Sequence, residues 1–269
     1  MNILFNLIII FCGITLSSAL NAENNFNLIK QQPLPKQLGD FRQVEFTLAT
    51  EDDPVIFYAA TLNENYHASI YQQPGKYQFF ADFIDALSRK HNFVIATNGG
   101  FYRPDFTPAG LYIDKGKKLQ DFALHSLLKP CVVINKEQKI KLETSRQNCL
   151  NGFFAMQTGP VLIDNGEIQK SLTNNKVRTP KLQEFFGPKR RTLLAVSDDN
   201  QMIVIITSPI ALSEAATILQ NYSAAFGVKK IKTAINLDGG SSTGMYIRFA
   251  DDPFYFHEQR HVKTFLFID

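Results

Sequence analysis

The stretch Ala234-Ile235-Asn236-Leu237-Asp238-Gly239-Gly240-Ser241-Ser242 decides the reading of this chain. An apolar run with strand character ends in a carboxylate, and two glycines and two hydroxyls follow. Glycine lacks a Cβ, so the backbone can turn sharply and other groups can approach closely. A strand that ends this way gathers a carboxyl, hydroxyls and backbone N–H groups at one point. That combination suits an oxygen-rich or anionic ligand. Upstream, Val94-Ile95-Ala96-Thr97-Asn98-Gly99-Gly100-Phe101-Tyr102 has the same grammar: apolar strand, polar residue, two glycines. A helical pattern precedes each strand. Phe79, Phe80, Phe83, Ile84 and Leu87 share one face before the first. Leu212, Ala215, Ala216, Ile218, Leu219 and Tyr222 do so before the second, with Ser213 as the expected cap and Gly227 as the stop. The two units predict two walls of one cleft. The plainer alternative is two tight turns in a core.

The chain opens with an apolar run from Ile3 to Leu16, followed by Ser17-Ser18-Ala19-Leu20-Asn21-Ala22. A short apolar core before small residues has the form of a signal peptide, and it is too short for a comfortable membrane span. Phe11 precedes Cys12 where lipid attachment expects a small residue. Residues 1–22 are therefore expected to be a signal peptide, 23–40 a polar leader, partly disordered, with Pro33 and Pro35, and 41–269 one large domain. The expected location is periplasmic or extracellular, with no stable membrane anchor. Two cysteines remain, Cys131 and Cys149. An even pair in an exported chain suggests a disulfide; two buried thiols are the other reading.

Net charge is only +3, from 28 Lys and Arg against 25 Asp and Glu, and the basic residues are scattered. Lys189-Arg190-Arg191 is the densest group. No basic stripe with interleaved aromatics appears, which argues against nucleic acid. Phe101, Tyr102 and Phe106 read either as an aromatic platform for a sugar or as plain core.

Alternation marks strands at Phe41–Leu48, Val55–Ala59 and Thr264–Ile268. Pro108–Lys117 and Val161–Ile168 each read as a strand into a tight turn, Asn165-Gly166 in the second. Cys131–Ile134 and Lys139–Leu142 bracket another. Leu193–Val196 and Met202–Thr207 follow a stretch, 169–188, whose Asn, Pro and Gly content predicts a long loop. Many strands joined by hairpin turns, with few helices, give an α+β class: a mixed, largely antiparallel sheet core with flanking helices.

Asp238 is the leading catalytic candidate. Hydrolysis at an acetal carbon needs a carboxyl as acid, base or nucleophile; the alternative is an Asp that caps its own turn. Asn98 is the matching polar group, suited to a sugar hydroxyl or a phosphate oxygen, or to an Asx turn. Arg191 precedes a strand, where its guanidinium fork could clamp a phosphate. Arg260, before the last strand, is a second phosphate candidate or a surface ion pair. Gln157-Thr158-Gly159-Pro160 is a turn that would place Thr158 on the cleft. No Gly-x-Ser-x-Gly elbow, His-Glu-x-x-His, P-loop or N-terminal dinucleotide fingerprint occurs, so no metal and no cofactor is expected.

These residues resemble the phosphodiester glycosidase family. Asn98-Gly99-Gly100-Phe101 followed by Pro108-Ala109-Gly110, then Gln157-Thr158-Gly159-Pro160, Arg191-Thr192 and Asn236-Leu237-Asp238-Gly239-Gly240-Ser241-Ser242 match its motifs in order, from about residue 90 to the end. Arg260 sits where the family has an Arg before its closing strand. His261 and Ser208-Pro209-Ile210-Ala211 depart from the family's Pro and Gly-rich turn. The resemblance implies hydrolysis of a glycosyl phosphodiester, small or polymeric, at the anomeric carbon. It implies Asp238, Asn98 and Arg191 as catalytic residues. It implies Gly99, Gly100, Gly110, Gln157, Thr158, Gly159, Gly239, Gly240, Ser241, Ser242 and Arg260 as substrate-binding residues. Asp105 and Asp114 are candidate partners for Asp238. A sugar-binding protein without activity and a phosphodiesterase that cuts the P–O bond are the alternatives.

Overall fold

The computed structural model describes residues 26–48, 53–73, 79, 84, 87, 91–173 and 179–269. The expected signal peptide, and Phe80 and Phe83 of the first expected helix, lie outside the described residues. Strands form three sheets, and every strand pairing among the described residues is antiparallel.

The largest sheet has eight strands. In spatial order they are β1 (Phe26–Pro33), β2 (Gly39–Phe46), β3 (Val55–Leu62), β14 (Met202–Ile210), β13 (Lys189–Ser197), β15 (Ile231–Asn236), β11 (Val161–Asp164) and β12 (Glu167–Ile168). A second sheet runs β7 (Lys117–Gln120), β6 (Tyr112–Asp114), β10 (Phe154–Gln157), β8 (Cys131–Ile134) and β9 (Ile140–Glu143). The third runs β17 (Phe254–Phe256), β16 (Met245–Ile247), β5 (Ile95–Asn98), β18 (Thr264–Ile268) and β4 (Ala68–Gln72).

Successive side chains of a strand point to opposite faces. On β13, Leu194 packs with Ile95, Met245, Leu266, Val132 and Met156 of the two smaller sheets. Its neighbours Leu193 and Ala195 pack on the other face with Leu212, Ala215, Ala216 and Leu219. Both faces of the large sheet are thus covered, which explains the unbroken apolar runs of β13 and β14. The covering helix is Leu212–Asn221. It starts one residue before Ser213, with Ala211 at its N-cap and no side-chain cap bond. Gly227, in the left-handed region at φ +80°, closes the 3-10 turn Ser223–Phe226 that follows.

Two expectations need correction. Residues 26–33, read as part of the leader, form β1 and pair with β2. It is an edge strand whose apolar Leu28 and Ile29 stand side by side and exposed, so it carries no apolar alternation to read. The stretch 169–188 holds two short helices, Lys170–Thr173 and Pro180–Phe186. The second is capped by the Thr179 hydroxyl, which accepts from Leu182 N. Among the described residues no helix is long and apolar enough to cross a membrane.

Cys131 on β8 and Cys149 on the short helix Arg146–Cys149 are bridged, with Cα atoms 5.7 Å apart. The bridge closes a separation of 18 residues. Replacing both cysteines by serine is expected to cost about 3 kcal/mol through the freed unfolded chain. Urea unfolding of the two proteins measures it; identical midpoints would count against a stabilising bridge.

Candidate functional site

The two Gly-Gly units end strands in different sheets, β5 and β15, and they meet. Asp238 N–H donates to Gly99 O at 3.1 Å. The Asn98 amide donates to Asp238 O at 2.7 Å. Its Oδ1 accepts from the Thr192 hydroxyl at 2.7 Å and from Gly244 N–H at 3.1 Å. Asn98 is 2% exposed. Its amide is therefore spent inside the protein, as a clasp between β5, β13 and the Asp238 loop, and not on solvent.

Asp238 itself is half-buried. Its Oδ1 accepts from Gly239 N–H at 2.9 Å. Burial pushes its carboxyl up to about 6. The Ser242 hydroxyl, Gly239 N–H and the charge of Arg260 oppose that shift without cancelling it. Ser242 is buried, whereas Gly239, Gly240 and Ser241 are half-buried and line the turn.

Arg260 is exposed, with its guanidinium 6.0 Å from the centre of the Tyr102 ring. Tyr102 stacks on Phe106 at 5.6 Å and donates its hydroxyl to His261 O at 2.6 Å. The hairpin that follows Gly100 is thereby docked on the segment that carries Arg260. Across from it, Phe101 faces Phe185 with ring centres 6.1 Å apart. Around the Asp238 carboxyl the exposed and half-buried groups are thus the Gly239–Ser241 turn, the Arg260 cation and aromatic rings.

Other expected site residues lie beneath this surface. Arg191 is 2% exposed. Its Nε donates to Ile210 O at 3.1 Å, and its Nη2 donates to Phe185 O at 3.1 Å and to Gly187 O. Burial pushes its guanidinium down to about 10. It holds the Phe185–Gly187 loop: its Nε and Nη2 donate to three backbone carbonyls. Gln157 and Thr158, expected at the cleft, are also buried. Gln157 Oε1 accepts from Leu111 N and Ala123 N, both at 2.8 Å, and its Nε2 donates to Ala123 O and Leu128 O. Thr158 donates its hydroxyl to Asn236 O at 2.8 Å. Gly110 lets Gln157 lie there, since a Cβ would stand 2.3 Å from Oε1. Gly99 and Gly100 pack on Met156, whose sulfur accepts from Gly100 N–H.

Asp105 is exposed at the hairpin tip, where it accepts from Thr107 N–H at 3.0 Å and from the Thr107 hydroxyl. Asp114 ends β6 and lines a different cavity with Gln73 and Lys263. Neither has a bond to the Asp238 clasp among the described contacts. Three contributors escaped the sequence reading: Thr192, Gly244 and Phe185. Thr192 stood inside a quoted motif, but its partner Asn98 is 94 residues away.

A family model described as phosphodiester glycosidase matches residues 91–269. No curated protein sequence matches. Among solved structures, the catalytic domain of zebrafish N-acetylglucosamine-1-phosphodiester alpha-N-acetylglucosaminidase, auto-inhibited by its pro-peptide, superposes with a TM-score of 0.62 at 16% identity. The match covers 92% of this chain and 84% of that one. A hypothetical protein from Synechocystis gives a TM-score of 0.58 at 13% identity, over 85% of this chain and 61% of that one. At such identities the likeness is one of fold.

Gly159 tests the scaffold. It has φ +143°, and a Cβ there would stand 1.9 Å from Leu127 O. Its N–H donates to Asn236 O at 2.9 Å. Gly159→Ala is expected to cost more than about 2 kcal/mol. Gly116→Ala, at φ +78° with open space around it, should cost about 1 kcal/mol. Equal unfolding midpoints for the two variants would contradict this.

Proposed function

Since the chain belongs to the phosphodiester glycosidase family, we propose that it hydrolyses a glycosyl phosphodiester at the anomeric carbon and releases a sugar and a phosphomonoester. The observation that carries this reading is the meeting of the two Gly-Gly units at Asp238, whose carboxyl accepts from Gly239 N–H and feels the charge of exposed Arg260. The zebrafish neighbour, by its name an N-acetylglucosamine-1-phosphodiester glucosaminidase, supports the substrate class.

Arg260 is the group that recruits the phosphate. A phosphodiester anion held there sits close to the Asp238 carboxyl, and two nearby anions cannot both stay ionised at low cost. Substrate therefore keeps Asp238 protonated, on top of the desolvation that already raises it. A protonated carboxyl beside the bridging oxygen is a general acid. A phosphomonoester leaves readily, so a single weak acid and a cation suffice on that side. Gly239, Gly240 and Ser241 supply backbone and hydroxyl contacts to the substrate. The rings of Phe101, Tyr102, Phe106 and Phe185 offer apolar faces to a sugar. Asn98 and Arg191 are positioning residues, acting through the Asp238 backbone and the Phe185 loop. We also place the mature protein outside the cytoplasm; the Cys131–Cys149 bridge supports an oxidising compartment.

Asp238→Asn should lower kcat on a methyl phosphodiester of N-acetylglucosamine 1-phosphate by about 10²- to 10⁴-fold, with the circular dichroism spectrum unchanged. The acid must be protonated to act. The kcat/KM of the unaltered protein should therefore fall as pH rises through about 6. In heavy-oxygen water the label should enter the sugar. Label in the phosphate would instead mean P–O cleavage, and near-normal turnover in the Asn variant would remove Asp238 from the chemistry.

A further inference from the structure

With Asp238 occupied as the acid, the attacking water still needs a base. Asp105 and Asp114 do not reach the clasp, but Glu258 does. It follows β17, in the segment that leads to Arg260. Gln259 N–H donates to Ser241 O at 2.7 Å, so this segment crosses the Gly240–Ser242 turn. Glu258 is 7% exposed, and its Oε2 accepts from the Tyr255 hydroxyl at 2.7 Å. A Cβ on Gly244 would lie 3.2 Å from that same oxygen, so the carboxyl rests on the Gly244 backbone. Gly244 N–H is the donor to Asn98 Oδ1, and Ser242 bonds the Asp238 side chain. The two carboxyls thus bear on the two ends of one short segment, Asp238–Gly244.

The charged and titratable groups around Glu258 are identifiable. Arg190 on β13 senses its charge; its Nη2 donates to Thr243 O at 2.7 Å and to His257 O, and its guanidinium lies over the Phe256 ring. The Tyr255 ring lies 3.9 Å from that of His257. A carboxyl in this position, next to the reaction's own clasp, is more than a partner for Arg190.

From this juxtaposition we infer that Glu258 is the second carboxyl of the reaction, the base that takes a proton from the attacking water. The inference rests on the glycosidase reading above. In the step, the water oxygen bonds to the anomeric carbon while the bond from that carbon to the bridging oxygen breaks. The bond's electron pair leaves with the phosphomonoester. One water proton goes to Glu258, and the Asp238 proton goes to the bridging oxygen. Solvent then restores both carboxyls. No other reagent is required.

The test uses the full mature protein and the methyl phosphodiester of N-acetylglucosamine 1-phosphate. Glu258→Gln keeps the packing and the Tyr255 contact, so its fold should persist. Its kcat should fall by about 10²- to 10⁴-fold, while the fall of kcat/KM above about pH 6, set by Asp238, remains. Glu258→Ala should recover activity in sodium azide, with a glycosyl azide as product, because the small anion replaces the base at the anomeric carbon. A merely structural role would give no azide rescue and no glycosyl azide. If both variants keep kcat within about tenfold of the unaltered protein, the inference is overturned. Lost activity without azide rescue overturns it too. Absence of turnover by the unaltered protein rejects the glycosidase reading itself, and this inference with it.

Discussion

The Asn98 side chain is the constraint on which the site depends. The large sheet and the third sheet also meet through apolar residues such as Leu194, Ile235, Met245 and Leu266, with the Asp238 N–H to Gly99 O bond beside the clasp. Apolar contact is strong but non-directional, so it does not by itself fix how two strand ends face each other. Asn98 does. One buried amide binds the Asp238 carbonyl, the Thr192 hydroxyl and the Gly244 N–H, which belong to three separate segments. Each bond adds only about 1 kcal/mol net, but any unmade one would leave a buried polar group unsatisfied at a cost of about 1–3 kcal/mol. Arrangements that misalign the two Gly-Gly units are therefore disfavoured several times over.

Beneath the clasp, polar side chains replace what backbone pairing cannot supply. Arg191 and Gln157 are buried within irregular connections, where carbonyl and N–H groups have no ladder partners. Gln157 satisfies four of them around Leu111, Ala123 and Leu128. Arg191 satisfies three carbonyls, including that of Phe185. Burying a cation without a carboxylate is expensive. The return is positional: the Phe185 ring stays opposite Phe101 across the site. The residues that shape the substrate surface are thus held by residues that never touch it.

The sequence made the site's location legible because Asn-Gly-Gly and Asp-Gly-Gly-Ser-Ser are local signals at strand ends. It made the antiparallel α+β class legible because turns such as Asn165-Gly166 separate apolar runs. It did not reveal β1, whose exposed edge lacks an apolar alternation. Nor did it reveal which way motif residues point. Gln157 and Arg191 belong to motifs of the same family series as that of Asp238, yet their side chains run inward, since the carbonyls and N–H groups that need them lie there. Glu258 sits in an aperiodic segment, and its place depends on the pairing of β16 with β17 and on a bond to Ser241. Both are long-range facts. The Tyr102–Phe106 stack unites the two readings of those aromatics: it packs against the protein on one side and carries Arg260 on the other.

The raised Asp238 carboxyl shows that the fold gives up stability for this arrangement. Its ordinary value lies near 4, and in the folded protein it lies near 6. The folded protein therefore holds that proton more tightly than the unfolded chain does. The associated stability is fully present below pH 4 or so and is lost as pH rises through about 6. At neutral pH the ionised carboxyl is a net cost, and a scaffold selected only for stability would have solvated it or paired it closely. Here Gly239 N–H, the Ser242 hydroxyl and distant Arg260 give partial compensation only. In the reaction proposed above, a phosphodiester near Arg260 would shift that balance further, because a second anion makes the protonated form of Asp238 the favoured one. Substrate binding and retention of the proton would then reinforce each other.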